Sequence, residues 1–422
     1  MAALDKVLTI EDMKELARRR VPKLFFDYAD SGSLTEQTYR ANSEDFDSIL
    51  LRQRVARRLG DRSLKSTMMG EQTGLPIALS PVGSLGMHHA DGEIHVQRAA
   101  EKHNVPFILS TMSVCSIEDV AAATSRPFWF QLYVMRDRDF ALSLLERARA
   151  AGVKVFVLTL DLQLYAQRHK DLRNELRTPP KLTPKHMMMM AMRPRWSLGM
   201  AMTRRHTFRN VVGHVKGVRD LGTFTEWTNS QFDPELDWTA VKWFRDHWDG
   251  KFVLKGITDE EDARIAVDHG ADALIVSNHG GRQLDGAPSS IRSLPRIVET
   301  VGDRIEVHVD GGVRTGVDVF RALALGARAV HVGRAYTYGL GAAGEAGVLK
   351  SLDILKNELD QTMALCGERN VTDIGRHNLV QLPAPLLTPT PTLAPKPTPR
   401  PARKTAAADA GKPAARRARP KA

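Results

Sequence analysis

One joint recurs along the chain and constrains its fold more than any other feature. A helical stretch ends, a glycine follows and a short apolar strand begins, as in "ARAAGVKVFVLTLD", "AVDHGADALIVSN" and "ALALGARAVHVGR". A glycine at this place suits the left-handed conformation that ends many helices. Helices that alternate with strands over short connections predict a parallel sheet.

Eight apolar stretches have the length and composition of buried strands. They are 76–81, 106–110, 128–134, 155–161, 251–255, 273–277, 305–310 and 329–333. Helical patterns fall between them, and Ser116 with Asp119 and Thr258 with Glu261 have the spacing of helix-capping boxes. The count predicts an α/β fold, a (β/α)8 TIM barrel with an N-terminal helical extension. A doubly wound sheet is the alternative, but "SPVGSLG" after the first strand is not its glycine fingerprint.

Two parts of the chain fall outside the barrel pattern. The gap between the fourth and fifth strands is too long for an ordinary connection, and we assign an insertion to about 170–235. Its methionine-rich segment 185–205, flanked by basic residues, suits either a membrane interface or adaptable groove, or a lid over the barrel mouth. The barrel domain spans 1–382, and the Pro-, Ala-, Lys- and Arg-rich tail 383–422 is predicted to be disordered.

Most of the net charge of +11 belongs to this tail. Residues 396–422 carry nine basic side chains and one acidic side chain, a net +8, which leaves +3 for the rest of the chain. The tail is either a site for anionic lipid or nucleic acid or simply a solvated segment. No aromatic residues interleave its charges, so a specific nucleic-acid partner is disfavoured.

The two cysteines and the N-terminal residues both bear on where in the cell the protein is found. Cys115 and Cys366 are far apart, which argues against a disulfide scaffold and fits a reducing compartment. The first residues lack the pattern of a secretory leader, and no run of 18 or more apolar residues is present. We therefore expect a cytoplasmic protein, and we expect no redox metal cluster in it.

Polar or ionisable residues follow seven of the eight predicted strands. Because barrel enzymes act at the carboxyl ends of their strands, these side chains are expected to meet at one mouth. A purely structural barrel has no need for charges there, since desolvating an unpaired charge is costly. The residues are Ser110, Gln131, Tyr133, Thr159, Asp161, Lys255, Ser277, His279, Arg282, Asp310, Gly311, Gly312, Arg314, Gly333 and Arg334.

The last two strands are followed by a pattern typical of phosphate binding. "DGGVRTG" at 310–316 and "GR" at 333–334 combine glycine N–H groups with arginines. Barrels commonly bind phosphate at this corner. We therefore expect a phosphorylated ligand.

A second group of residues suggests a small acidic substrate. His279 is a candidate base, and Arg168 and Arg282 can hold a carboxylate through bidentate pairs. Tyr28 and Tyr133 can hydrogen-bond a hydroxyl or carbonyl group. The pattern favours an acid with an oxygen function beside its carboxylate. If the reaction is an oxidation, a cofactor must take the electrons.

These residues carry a resemblance to a known family. "SNHGGRQ" with "DGGVRTG", "FQLYV", "LSTMSVCSIEDV" and "VLKGI" resembles the FMN-dependent 2-hydroxy-acid dehydrogenases and oxidases over about residues 5–380. "LRQRV", "RPFWFQLYVMRDR" and "FDPELDWTAVKWFRDHWDGKFVLKGI" are similar to the branch of bacterial respiratory L-lactate dehydrogenases. The loop after Asp161 departs from the family pattern, with Gln163 in place of a proline and Ala166 in place of a glycine.

The resemblance implies a reaction and its partners. L-lactate is oxidised to pyruvate, FMN takes the electrons, and a respiratory quinone receives them at the inner face of the cell membrane. The acid could instead be glycolate, mandelate or a longer-chain acid, and the acceptor oxygen. The resemblance also implies a peripheral membrane protein and a homotetramer.

The resemblance also implies a role for each site residue. His279 is the base and Asp161 pairs with its imidazolium, while hydride and carbanion mechanisms both stay open. Lys255 lies near the N1 edge of the flavin and stabilises the reduced ring. The substrate is bound by Tyr28, Tyr133, Arg168 and Arg282. The cofactor is bound by Ser110, Gln131, Thr159, Lys255, Ser277, Asp310, Gly311, Gly312, Arg314, Gly333 and Arg334.

Overall fold

The structure is a computed structural model, and it describes residues 4–175, 183–231 and 233–381. Its strands are β1 (Leu50–Leu51), β2 (Ser66–Met68), β3 (Glu71–Thr73), β4 (Ile77–Leu79), β5 (Ile108–Ser110), β6 (Trp129–Tyr133), β7 (Val155–Thr159), β8 (Lys251–Ile257), β9 (Ala273–Val276), β10 (Glu306–Asp310), β11 (Ala329–Val332) and β12 (Leu379–Gln381). The predicted tail 383–422 lies outside the described residues.

Helices precede, separate and follow the strands. They are α1 (Ile10–Arg20), α2 (Lys23–Ala29), α3 (Gln37–Glu44), α4 (Leu85–His88), α5 (Gly92–His103), α6 (Ile117–Ala123), α7 (Arg138–Ala150), α8 (His169–Arg173), α9 (Pro184–Ala191), α10 (Pro194–Met202), α11 (Leu221–Gln231), α12 (Trp238–Asp246), α13 (Glu260–Asp268), α14 (Ser290–Val301), α15 (Gly316–Ala324) and α16 (Arg334–Cys366). Helices α1 to α3 form the predicted N-terminal extension, and α1 packs on α16.

The eight predicted strands are β4 to β11. They form one parallel sheet in the order β4-β11-β10-β9-β8-β7-β6-β5. A bridge between Leu79 and Phe107 joins the two end strands, and the N–H of Leu79 donates to the carbonyl of Pro106 at 2.8 Å. The sheet therefore closes on itself, and the predicted (β/α)8 barrel is confirmed.

Capping decides where two of the barrel helices begin. The box of Ser116 and Asp119 is present at the start of α6, as predicted. The prediction at Thr258 was wrong, because α13 is capped by Asp259, whose carboxylate accepts the N–H of Glu261 at 2.8 Å. Asp259 stands one residue closer to the helix and is a stronger cap than threonine.

The insertion between β7 and β8 is largely helical and has two environments. Phe208 and Phe224 stack at 4.1 Å and line the cavity described below, so this part covers the barrel mouth. Helices α9 and α10 are anchored by Trp196, which stacks on Phe25 and donates from Nε1 to the carbonyl of Met87 at 2.9 Å. Their outer face exposes Met187, Met188, Met192, Leu198 and Met202. The insertion therefore has one part that suits a lid over the barrel mouth and another part that suits a membrane interface or adaptable groove.

Candidate active site

A cavity of about 770 Å³ opens at the carboxyl ends of the barrel strands, within the size range of small-molecule sites. The predicted residues that line it are Tyr28, Tyr133, Arg168, Lys255, His279, Arg282, Asp310, Gly311, Gly312, Arg314, Gly333 and Arg334. Five others do not line it: Ser110, Gln131, Thr159, Asp161 and Ser277. Asp161 and Ser277 each hydrogen-bond a lining residue. The other three are buried and linked by hydrogen bonds: the hydroxyl of Ser110 donates to Oε1 of Gln131 at 3.1 Å, and Nε2 of Gln131 donates to the hydroxyl of Thr159 at 2.9 Å.

His279 and Asp161 form a hydrogen-bonded pair at the edge of the cavity. The Nδ1–H of His279 donates to Oδ1 of Asp161 at 2.8 Å. Burial raises the pKa of Asp161, but the charges of His279 and Lys255 and this hydrogen bond outweigh burial and lower it. The carboxylate therefore stays ionised and fixes the imidazole tautomer, which leaves Nε2 as a proton acceptor.

The backbone at His279 is held in an uncommon conformation. Its φ of 58° lies in the left-handed region, which non-glycine residues avoid. The loop tolerates it because Asn278 and Asn42 exchange two side-chain hydrogen bonds, at 2.8 and 2.9 Å. The N–H of His279 also donates to the hydroxyl of Ser277 at 3.1 Å. These hydrogen bonds hold the loop in its strained conformation and so fix the position of the imidazole.

Arg168 follows the loop that departs from the family pattern, and the structure still brings it into the cavity. Its guanidinium lies 4.3 Å from the ring centroid of Tyr165 and 5.3 Å from that of Tyr28. Its Nε is 3.2 Å from Oδ2 of Asp171, and both side chains are buried. Burial raises the pKa of Asp171 to about 6, although the charge of Arg168 lowers it. The partner of Arg168 is therefore a carboxyl that titrates near neutrality.

Arg282 approaches the same region from β9. Its Nη1 donates to the carbonyl of Tyr28 at 2.6 Å and to the hydroxyl of Ser31 at 3.0 Å. The guanidinium lies 4.9 Å from the ring centroid of Tyr28. Within the described part of the chain no carboxylate forms an ion pair with Arg282, so its charge is available to an acidic ligand.

Lys255 supplies a buried cation at the floor of the cavity. Its Nζ is 3.2 Å from Oδ2 of Asp310 and donates to the hydroxyl of Ser277 at 2.7 Å. Burial lowers the pKa of Lys255, but the carboxylates of Asp310 and Asp161 raise it above its ordinary value. The amine therefore stays protonated and can stabilise negative charge that develops above it.

The glycines after β10 bring the backbone against the N-terminal extension. Gly312 has a φ of 82°, and a Cβ there would lie 1.7 Å from the carbonyl oxygen of Asn42. Arg314 lines the same corner, and α16 begins at Arg334, directly after the last barrel strand. Backbone N–H groups, a helix N-terminus and an arginine together suit a phosphate, so we call the part of the cavity lined by Gly312, Arg314 and Gly333 the phosphate corner.

Arg334 is bound more tightly to the protein than its sequence position suggests. Its guanidinium donates to the carbonyls of Ala29, Gly280 and Ser31 at 2.8 to 3.0 Å, and it lies over the ring of Tyr39. It therefore ties the N-terminal extension to the loop that carries His279, in addition to lining the phosphate corner.

Sequence reasoning did not find several residues that line the cavity. Asp171 lies in the first turn of α8, three residues after the N-cap Arg168, and this spacing could have revealed the ion pair. Met112, Phe208 and Phe224 give the cavity an apolar end, and nothing in their local sequence marks them. His331 lies in the middle of an apolar strand, where its isolated polarity was the available signal.

We expect Asp171 to compete with an acidic ligand for Arg168. Since its raised pKa is about 6, the carboxyl is neutral below that pH and ionised above it. The KM for a substrate with a carboxylate should therefore rise as pH increases through about 6. In Asp171→Asn the step should vanish and KM at pH 7 should fall roughly tenfold, since at that pH a carboxyl with a pKa of about 6 is neutral in only about one molecule in ten. Steady-state kinetics from pH 5 to 8 measure both effects, with the exposed Asp268→Asn as control. A higher KM in Asp171→Asn would show that the carboxyl instead positions Arg168.

The geometry agrees with comparisons to known proteins. A family model described as FMN-dependent dehydrogenase matches residues 17–381. L-lactate dehydrogenases of Caulobacter vibrioides (strain NA1000 / CB15N) and Stenotrophomonas maltophilia (strain R551-3) are 45% and 44% identical, over 89% and 88% of this chain and 98% of each relative. The solved structure of the monotopic membrane protein (S)-mandelate dehydrogenase is 35% identical with a TM-score of 0.85, over 89% of this chain and 99% of that one. The chain therefore belongs to the FMN-dependent dehydrogenase family, and its cofactor is FMN.

Proposed function

We propose that this protein oxidises L-lactate to pyruvate and passes the electrons from FMN to a respiratory quinone. The observation that carries the proposal is the arrangement of one cavity: a histidine–aspartate pair, two arginines and a buried ammonium. The relatives named L-lactate dehydrogenase, at 45% and 44% identity over nearly their whole length, support lactate as the acid.

His279 is the base of the proposed reaction. Its Nε2 takes the proton of the substrate hydroxyl, and the imidazolium that forms is stabilised by the ionised Asp161 at Nδ1. FMN supplies the acceptor for the hydride equivalent that leaves the α-carbon. One hydroxyl proton and one hydride leave the acid, which becomes a keto acid.

Two arginines and two tyrosines orient the substrate. The guanidiniums of Arg168 and Arg282 lie 5.3 and 4.9 Å from the ring centroid of Tyr28, so both arginines stand beside one tyrosine, where they can bind the substrate carboxylate. Tyr133 lies beside His279, with ring centroids 6.3 Å apart. Burial raises the pKa of Tyr133 well above its ordinary value, so its hydroxyl remains a hydrogen-bond donor.

Cofactor reduction under anaerobic conditions tests the proposal directly. The yellow protein should bleach on addition of L-lactate and stay yellow with D-lactate. A soluble quinone should then restore the colour faster than oxygen does. Fast bleaching by another acid, with none by L-lactate, would overturn the choice of substrate but not the reaction type.

A larger 2-hydroxy acid is the second candidate. The cavity has an apolar end formed by Met112, Met135, Phe208 and Phe224, which a methyl group alone would not fill. Solved neighbours at 35% and 36% identity are named (S)-mandelate dehydrogenase and mandelate oxidase. If mandelate bleaches the protein faster than L-lactate, the apolar end accommodates the substrate.

We further propose that helices α9 and α10 dock on a membrane surface. Among the described residues, no helix is both long and apolar enough to span a bilayer. The exposed methionine face of α9 and α10 is flanked by Lys185, Arg193 and Arg195, the composition of an interfacial helix pair. One solved relative is named a monotopic membrane protein.

Replacing Met187, Met188 and Met192 together with serine should weaken membrane binding. Burial of a methionine side chain is worth up to about 1.5–3 kcal/mol, so partial burial of three predicts a roughly 100-fold loss of affinity. Cosedimentation with anionic phospholipid vesicles measures it. The control replaces three exposed apolar residues elsewhere, Leu8, Val55 and Leu365, with serine. Equal loss in both triple variants would contradict docking through this face.

A further inference from the structure

A row of polar side chains crosses the interior of the barrel beneath the cavity. Alternation along β10 places Glu306, His308 and Asp310 on the same face of the strand, and Asp310 lines the cavity. Nδ1 of His308 lies 2.9 Å from Nε2 of His331 on β11. Nε2 of His308 lies 3.0 Å from Oε2 of Glu306. Both imidazoles are fully buried.

His308 and His331 stand where barrels usually carry apolar side chains. Barrel interiors are normally filled by branched apolar side chains, as Val253 and Ile275 do here. Burying an imidazole is costly unless its nitrogens are hydrogen-bonded. Three of the four nitrogens of His308 and His331 have partners in the row, which leaves the last one to be explained.

The unexplained nitrogen is Nδ1 of His331. It is buried and has no hydrogen-bond partner among the residues that the structure describes. His331 lines the floor of the cavity, and burial lowers its pKa well below the ordinary value, so the ring is neutral. The charged groups that face it are Lys255 on β8 and Asp310 on β10, and Trp129 on β6 contributes only its ring.

The row fixes which hydrogen-bonding role this nitrogen plays. Burial raises the pKa of Glu306, but the hydrogen bonds from His308 and from the N–H of Met69 outweigh burial and lower it. With a single proton on His308, its Nε2–H goes to the ionised carboxylate and its Nδ1 accepts the Nε2–H of His331. A neutral His331 protonated at Nε2 presents a lone pair at Nδ1. The cavity floor therefore offers a hydrogen-bond acceptor.

The position of this acceptor indicates its ligand. Asp310 and His331 are register partners on neighbouring strands, and Oδ1 of Asp310 is a second buried acceptor with no partner in the described structure. The buried ammonium of Lys255 suits the electron-accepting ring of the cofactor, and the backbone N–H groups at Gly312 and Gly333 suit its phosphate. The chain that connects a flavin ring to its phosphate must cross the floor between them. In FMN that chain is the ribityl group, and its hydroxyls are donors.

We propose that Nδ1 of His331 binds a ribityl hydroxyl of FMN, and that His308 and Glu306 are positioning residues that hold His331 in the accepting tautomer. The hydroxyl donates its proton in the hydrogen bond, and no proton is transferred. Because the cofactor is FMN whichever acid is oxidised, the inference does not depend on lactate as substrate.

Reconstitution of the apoprotein tests the contact without any substrate. Two ligands are titrated: FMN, and a flavin phosphate whose linker carries no hydroxyl groups. In the parent protein we expect FMN to bind more tightly, and in His331→Leu the preference should shrink about 2- to 10-fold, the value of one net hydrogen bond of about 0.5–1.5 kcal/mol. An unchanged preference in His331→Leu would overturn the proposal.

Glu306→Gln tests the positioning role. An amide can donate to His308 as well as accept from it, so it no longer enforces the tautomer of His331. We expect part of the preference for FMN to be lost. The matched control is Glu299→Gln, the same change at an exposed site on α14, which should leave the preference unchanged. An equal preference for FMN in Glu306→Gln and in the parent would show that Glu306 does not position His331.

Nitrogen NMR of the parent protein keeps the proposal testable if a variant fails to fold. With ¹⁵N-labelled histidine, His331 of the apoprotein should show a protonated Nε2 and a bare Nδ1. Binding of FMN should shift the Nδ1 resonance in the direction of a hydrogen-bonded acceptor. A proton on Nδ1 in the apoprotein, or no shift on binding, would show that His331 does not accept from the cofactor.

Discussion

Replacing His279 with glutamine should slow reduction of bound FMN by L-lactate about 10²- to 10⁴-fold, the range expected for loss of a general base. Glutamine retains a polar side chain of similar reach but cannot accept the hydroxyl proton. Asp161 would lose the partner that lies 2.8 Å away, so its ionised carboxylate would no longer stabilise a cation at this position. Stopped-flow absorbance of the flavin under anaerobic conditions measures the rate.

The control for this variant separates chemistry from binding. FMN content should stay at the parent level, because His279 lies outside the phosphate corner formed by Gly312 and Arg314. His206→Gln makes the same change at an exposed residue of the insertion and should reduce at the parent rate. Reduction of the His279→Gln protein at a rate near that of the parent would show that another group takes the proton.

The barrel could be predicted from the sequence because its signals are local. Each strand is a short apolar run, and a glycine separates β7, β9 and β11 from the helix before them, so the pattern is visible without tertiary contacts. All eight strands were found this way, although β4 has only three residues against six predicted. The helix cap at Asp259 was missed because two capping residues stand side by side and only the structure shows which one accepts the N–H of Glu261.

The site was only partly predictable because its electrostatics depend on distant residues. Position after a strand predicted that His279, Lys255 and Arg282 would share a mouth, and the structure brings them together. It could not predict that the nitrogens of Arg334 are occupied by carbonyls of the N-terminal extension. Nor could it reveal the row from Glu306 to His331, since its members come from two strands and meet only in the barrel interior.

Replacing Gly312 with alanine should abolish stable FMN binding and lower the free energy of unfolding. The residue has a φ of 82°, and the left-handed conformation costs a non-glycine residue about 1–2 kcal/mol. The new Cβ would also lie 1.7 Å from the carbonyl oxygen of Asn42, so the loop or the N-terminal extension must move, at a cost of about 1–3 kcal/mol. The total loss is roughly 2–5 kcal/mol, and the movement would displace the glycine N–H groups that we expect to bind the FMN phosphate.

Gly213→Ala distinguishes this overlap from backbone strain alone. Gly213 has a similar φ of 90°, but a Cβ there meets no atom within 4 Å. This control should lose only about 1–2 kcal/mol of unfolding free energy and remain yellow. Chemical denaturation of the two apoproteins measures the stability difference, and FMN titration measures the binding difference. Equally tight FMN binding by Gly312→Ala and Gly213→Ala would show that the close approach of this loop to Asn42 does not shape the phosphate corner. The cofactor phosphate would then have to be held chiefly by side chains such as Arg314.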